Sequence, residues 1–311
     1  MKNNYIPWVE KYRPTNFNDI ILSDINKIIL KNILEENYFP NILFYGPPGT
    51  GKTTTIINLI NAYQEKNNEK NKSLIIHLNA SDERGIDIIR NNINNFVNSK
   101  NLFNKGTKFI ILDEIDYMTK NAQQALKYLL EINTKNVRFC LICNYISKID
   151  ESLQNIFMRL RFNELPKDNI INFLLKINNN EKLNHTFEEL ENIQKLYNSD
   201  MRSMINYIQA NQNNNNKKNI INNNIWKELI QKIINNINVN NFKIELNKLS
   251  INYQIEMKNI IKNLLLFIIE NYTISSNFLT KIELLIHQND DNTKYNICYL
   301  YYTLINFFHL N

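Results

Sequence analysis

The sequence predicts an α/β domain on a parallel sheet, followed by helices alone. Three observations carry this. Strand-like and helix-like segments alternate through the first half of the chain, the pattern of strands joined by helical crossovers. A glycine-rich turn at residues 46–53 falls between the first such strand and the first such helix. After about Leu165 the strand signal stops, and apolar residues recur only at three- to four-residue spacing, which is helical spacing.

Taken in order, residues 41–45 are a short apolar run ending at Gly46, and 53–63 follow with helical periodicity. Residues 73–79 read as a strand. Residues 85–97 read as a helix with Ile86, Ile89, Ile93 and Phe96 on one side. A β-rich run at 108–113, a helix at 122–132, a buried strand at 137–144 and a short alternating strand at 159–162 complete the α/β part. Helices are expected at 169–177, 186–197 and 200–209. Residues 211–218 are mostly Asn, a linker composition. From Ile225 onward the pattern is helical, with Leu229, Ile233, Ile237, then Ile260, Leu264, Phe267, then Leu300, Leu304, Phe307. The expected plan is an α/β domain over 1–163, a small helical domain over 164–210, a linker over 211–224 and a helical C-terminal domain over 225–311.

Composition narrows the function classes. The 311 residues are enough for about two domains. Lys and Arg total 36 against 30 Asp and Glu, for a formal charge of +6, which permits nucleic-acid binding without demanding it. Richness in Asn, Ile and Lys also fits an AT-rich coding bias. The three cysteines cannot build a disulfide framework. Cys140 and Cys143 lie three apart in a strand, on opposite faces, so they converge poorly on a metal. The start has no apolar signal-peptide core, and the longest apolar stretch, 260–269, is about half a membrane span. A soluble intracellular protein without membrane contact is expected. Glycine occurs only five times, and three of the five fall within six residues.

Those three glycines define a phosphate site. Gly46, Pro47, Pro48, Gly49, Thr50, Gly51, Lys52 and Thr53 fit G-x-x-x-x-G-K-[ST], with Thr54 continuing into the helix. Small residues let backbone N–H groups surround phosphate oxygens, and the helix N-terminus adds its dipole. Lys52 can reach the β- and γ-phosphates, and the Thr53 hydroxyl can coordinate Mg²⁺. The apolar run at 110–112 delivers Asp113 to a strand end, where a Mg²⁺ carboxylate is needed, and places Glu114 to polarise an attacking water. ATP and Mg²⁺ are the expected cofactors.

Several further segments are more discriminating than the phosphate loop. Residues 7–14, PWVEKYRP, then GPPGTGKT, then 79–86, NASDERGI, then Asp113-Glu114, then 135–139, KNVRF, with Asn144, resemble in order the replication factor C small subunits, AAA+ sliding-clamp loaders. The likeness runs through about residues 5–210, and the helical tail fits the family's oligomerising collar by position only. The resemblance implies an α/β AAA+ domain, a lid and a collar. It implies an ATPase that loads a ring clamp onto primer-template DNA within a hetero-oligomer, a pentamer by family habit. It implies a location at DNA replication, in the nucleus or at a viral or cytoplasmic replication site. Residue by residue, Val9, Arg13 and Ile21 would line the adenine side. Asn144 would be sensor 1, contacting the γ-phosphate or the water. Arg202 would be sensor 2, reaching from the lid. Arg84 and Arg90 would follow the DNA backbone.

The sequence departs from the family in several places. Where the family carries Ser-Arg-Cys, whose Arg enters the neighbour's ATP site, this chain has Asn155-Ile156-Phe157. Arg159 and Arg161 fall on the strand that follows. Asn92 and Asn94 stand where relatives often carry Lys, and Lys127-Tyr128 replaces a frequent Arg pair. Ser199 stands where the family usually has Gly, an exchange expected to matter little because either residue can precede a helix. Three other functions compete. The first is a scaffold subunit binding ATP without hydrolysis. The second is a protein-unfolding AAA+ machine, which needs an aromatic-hydrophobic-glycine pore loop. The third is a branch-migrating helicase.

Overall fold

The computed structural model describes residues 6–81, 92–99, 106–132, 136–212, 223–235, 237–253, 255–287 and 293–310. The chain opens with α1 (Trp8–Lys11) and α2 (Asp24–Glu35). Then β1 (Ile42–Tyr45), α3 (Lys52–Lys66), β2 (Ile75–Asn79), α4 (Asn94–Asn98), β3 (Lys108–Asp113), α5 (Lys120–Ile132), β4 (Val137–Cys143), α6 (Glu151–Gln154) and β5 (Met158–Arg161) follow. Most of the helix expected over 85–97 lies outside the described residues. The sheet order is β2-β3-β4-β1-β5, and every described strand pair is parallel. The tips of β1, β3 and β4 are therefore adjacent along one edge, the carboxyl edge where parallel α/β sheets bind ligands.

Both faces of this sheet are covered, so its strands read as continuous apolar runs. Alternate residues go to opposite faces. Ile42, Phe44, Phe109, Ile111, Cys140 and Ile142 pack against Leu30 and Ile33 of α2 and Ile56, Leu59, Ile60 and Tyr63 of α3. Leu43, Ile110, Leu112, Phe139, Leu141 and Cys143 pack with Ile93 and Val97 beside α4, Leu126, Leu129 and Leu130 of α5, and Phe157. Cys140 and Cys143 thus sit in different cores. Edge-on aromatic contacts fasten the first layer, with Phe39 4.9 Å from Phe109.

Beyond the sheet come α7 (Lys167–Asn180), α8 (Phe187–Tyr197) and α9 (Met201–Ala210), then α10 (Asn223–Ile234), α11 (Val239–Tyr253), α12 (Met257–Asn271), α13 (Ser276–His287) and α14 (Thr293–Leu310). The chain forms two compact units. The first holds residues 1–184 and 197–210, and the second holds 185–196 and 211–311. This division differs from the expected boundary near residue 210. Most of α8 goes with the helical second unit, where Leu196 packs on a core of Trp226, Leu229, Ile233, Phe242, Leu264 and Leu300. Residues 223 and 224, expected in the linker, already belong to α10. In the second unit Phe278 stacks on Phe307 at 4.1 Å. No described helix is long and apolar enough to cross a membrane.

Within the first unit, the N-terminal segment is fastened on several sides. The Trp8 N–H donates to Gln209 Oε1 of α9 at 3.0 Å. Lys11 and Tyr12 both donate to Glu181, just past α7, at 2.5 Å. Asn58 of α3 donates to the Pro14 carbonyl at 2.9 Å. Burial and the Glu181 carboxylate push the Tyr12 phenol up to about 12.

Candidate nucleotide-binding site

The loop after β1 turns on glycines. Gly46, Gly49 and Gly51 have φ of 145°, 73° and 85°, backbone that side chains strain. Beyond Gly51 the chain enters α3, whose first residue is Lys52. Lys52 is buried, and its ammonium donates to the Gly46 and Pro47 carbonyls at 2.8 and 2.7 Å. Burial pushes this ammonium's pKa down, and the negative groups around it, Asp113 first, act against that fall. A phosphate in the loop would offer the ammonium a stronger acceptor than these neutral carbonyls.

The Thr53 hydroxyl donates to Asp113 Oδ2 at 2.7 Å. This contact joins the ends of α3 and β3, which are 60 residues apart in sequence. A hydroxyl and a carboxylate in contact are the hard oxygen donors that suit Mg²⁺. Burial would raise the Asp113 carboxyl, but the His77 imidazole, the Thr53 hydroxyl and the Glu114 N–H together hold it below its ordinary value. It is therefore ionised and ready for a cation at neutral pH. The residues present fit the metal. Glu114 follows in left-handed backbone, φ 56° and ψ 38°, with its N–H on Asp113 Oδ1 at 2.9 Å.

One cleft gathers the expected site residues. Val9, Arg13, Ile21, Pro48, Gly49, Thr50, Gly51, Lys52, Thr53, Thr54, Asp113, Glu114, Asn144 and Arg202 all line it. Arg13 is held by Thr54 Oγ1 at 3.2 Å and by Glu10. Gly46 and Pro47 do not line the cleft and instead hold Lys52 from behind. Sequence reasoning missed Tyr12, Leu165, Phe173, Met201 and Ile205, which also line it. Met201 and Ile205 are four apart on α9 and flank Arg202, so helical spacing from Arg202 was the available signal. Arg84 and Arg90 lie outside the described residues. At the expected finger position Asn155 is exposed, Phe157 is buried in the core, and Arg159 contacts Gln154 at 3.4 Å.

Ser199 corrects an expectation. Its hydroxyl accepts the Leu165 N–H at 2.8 Å in a buried position, tying the segment after β5 to the start of α9. Glycine cannot do this. Ser199→Ala, and equally Ser199→Gly, should lower unfolding free energy by about 1–3 kcal/mol, because the Leu165 N–H is left buried and unpaired. Urea denaturation measures this, and an unchanged midpoint would count against the assigned bond.

The fold and cleft define a P-loop nucleotide-binding protein of the AAA class. The family model described as "ATPase family associated with various cellular activities (AAA)" matches residues 42–165. The chain is 42% identical over 205 residues to human replication factor C subunit 5, covering 66% of this chain and 60% of that one. It is 40% identical to replication factor C subunit 3 of Saccharomyces cerevisiae, covering 66% and 59%. It is 42% identical to the replication factor C small subunit of Sulfolobus acidocaldarius, covering 66% and 62%. Over about two thirds of its length the chain is similar to these replication factor C subunits, and it spans about three fifths of their own length. A solved structure of a point variant of Thermotoga maritima RuvB shares the fold, with TM-score 0.54 and 13% identity over 88% of this chain and 98% of that one.

Proposed function

We propose that this chain is an ATP-hydrolysing subunit of a sliding-clamp loader, acting within a hetero-oligomer of related subunits, a pentamer, at the site of DNA replication. ATP binding would assemble a spiral that grips primer-template DNA, and hydrolysis would release the closed ring clamp. The observation that carries the reading is the single cleft in which Val9 and Arg13, the phosphate loop, Asp113-Glu114, Asn144 and the lid residue Arg202 converge, in a chain whose relatives are named replication factor C subunits.

In this reading Val9, Arg13 and Ile21 face the adenine. Loop N–H groups and Lys52 hold the phosphates, and Thr53 and Asp113 hold Mg²⁺. The metal would neutralise charge on the β- and γ-phosphates. Glu114 takes the proton of the attacking water. Asn144 orients that water or the γ-phosphate, and Arg202 couples phosphate to the lid. Arg84 and Arg90 would contact the DNA backbone without reading bases. At the finger position this chain carries no arginine, since exposed Asn155 and buried Phe157 occupy that segment.

The test is copurification from the native source, identification of partners, and ATPase assay with and without clamp and primed DNA. Turnover should rise with both. In the assembled complex, replacing Asn155, Arg159 and Arg161 together by Ala should leave the adjacent subunit's ATPase intact. A finger removal costs about 10³–10⁵ in rate, so a collapse there would sink the finger claim.

A further inference from the structure

In the turn of residues 115–117 that follows Asp113-Glu114 lies a carboxylate with no assigned work. Asp116 is only 7% exposed, and both of its side-chain oxygens are buried without a hydrogen-bond partner. It lies close enough to Lys52 and Cys143 for its charge to act on both groups. Cys143 ends β4 and directly precedes Asn144, so the charge of Asp116 reaches both the phosphate-loop lysine and the end of β4.

A buried carboxylate without donors is costly and persists where a cation or ordered water compensates it. Two compensations adjoin it here. One is the Lys52 ammonium, which spends two of its three protons on Gly46 and Pro47. The other is the divalent cation that Thr53 and Asp113 would hold, Asp113 standing three residues before Asp116 in the chain. A fixed negative charge at this place acts in opposite senses on the two parts of the ligand. It repels bare polyphosphate and attracts the metal that neutralises it.

We propose that Asp116 is a positioning residue that makes the site select the Mg²⁺ complex of the nucleotide over the free nucleotide. The inference rests on the nucleotide-site reading above. Asp116 touches neither phosphate nor metal, since it is enclosed and does not line the cleft. It acts through the field it places on Lys52 and on the Thr53–Asp113 pair. Removing the charge weakens metal-assisted binding and spares or tightens metal-free binding. A residue needed only for packing would weaken both together.

The experiment uses the full chain and a fluorescent, non-hydrolysable ATP analogue. Its dissociation constant is measured in saturating Mg²⁺ and in EDTA, and the half-saturating Mg²⁺ concentration is titrated. Asp116→Asn keeps the shape and removes the charge, and Asp116→Ala serves as the second variant should the buried amide pack badly. The expected result in either folded variant is a fall of about tenfold in the ratio of the EDTA to the Mg²⁺ dissociation constant, with a matching rise in half-saturating Mg²⁺. A ratio equal to that of the unsubstituted chain overturns the inference. So does equal weakening with and without metal. If the unsubstituted chain binds no analogue under either condition, the nucleotide-site reading falls and this inference falls with it. A normal ratio in that chain beside an unchanged ratio in the variants sinks the inference alone.

Discussion

Glu114→Gln in the assembled complex should lower this subunit's ATP turnover by about 10²- to 10⁴-fold, the usual contribution of a positioned general base, and leave nucleotide affinity within a few-fold. The geometry supports such a split. Glu114 lines the cleft but makes no side-chain contact with the phosphate loop among the described hydrogen bonds. Its backbone is what the structure fixes. The N–H is held by Asp113, and the left-handed φ of 56° breaks the line of β3. A glutamate rarely adopts that conformation, and backbone of this kind persists where surrounding structure enforces it, often at functional sites. Gln keeps the volume and the turn but cannot take a proton from water. The measurement is single-turnover hydrolysis beside equilibrium binding. An unchanged hydrolysis rate would favour the scaffold reading, in which this chain binds ATP statically.

The α/β half was the most legible part of the sequence. Strand β3 has the expected bounds, and β1, β2, β4 and β5 fall within one or two residues of theirs, because strands buried on both faces leave uninterrupted apolar runs such as 109–112. Their order in the sheet was not readable, since β1 pairs with β4 and β5 rather than with β2. Helix α2 was not read because Ile25 and Ile28 are exposed while Asn26 is buried, bonded to the Arg161 carbonyl, so its apolar face is blurred. In the site, the motif residues were legible because phosphate chemistry fixes their types and spacing. Phe173 and the Ser199–Leu165 bond were not, because their roles arise from contacts between segments that no local spacing records. Asp116 was hidden differently. An acidic residue in a turn after a strand reads as solvated, and only its burial without donors marks it.

Gly49→Ala should weaken nucleotide binding by at least about tenfold and also destabilise the fold, since alanine at positive φ is strained. A β-carbon at Gly49 would stand 1.9 Å from Asp200 Oδ1 and 2.5 Å from its Cγ, closer than van der Waals contact permits. Asp200 cannot give way freely. It accepts the Ser203 N–H at 3.0 Å and the Ser203 hydroxyl at 2.7 Å, a cap on α9 worth about 1 kcal/mol. The Met201 N–H also reaches the Gly49 carbonyl at 3.2 Å. The methyl group would therefore push the phosphate loop and the start of α9 apart, and Met201 and Arg202 would leave the cleft with that helix end. Strain and displacement can be separated by a double-mutant cycle with Asp200→Ala, which costs the cap but removes the colliding carboxylate. If the clash is the mechanism, the two substitutions should be non-additive, with the double variant binding nucleotide better than the two single losses predict. Strict additivity, or a Gly49→Ala protein that binds nucleotide normally, would show that the loop and α9 do not need this close approach.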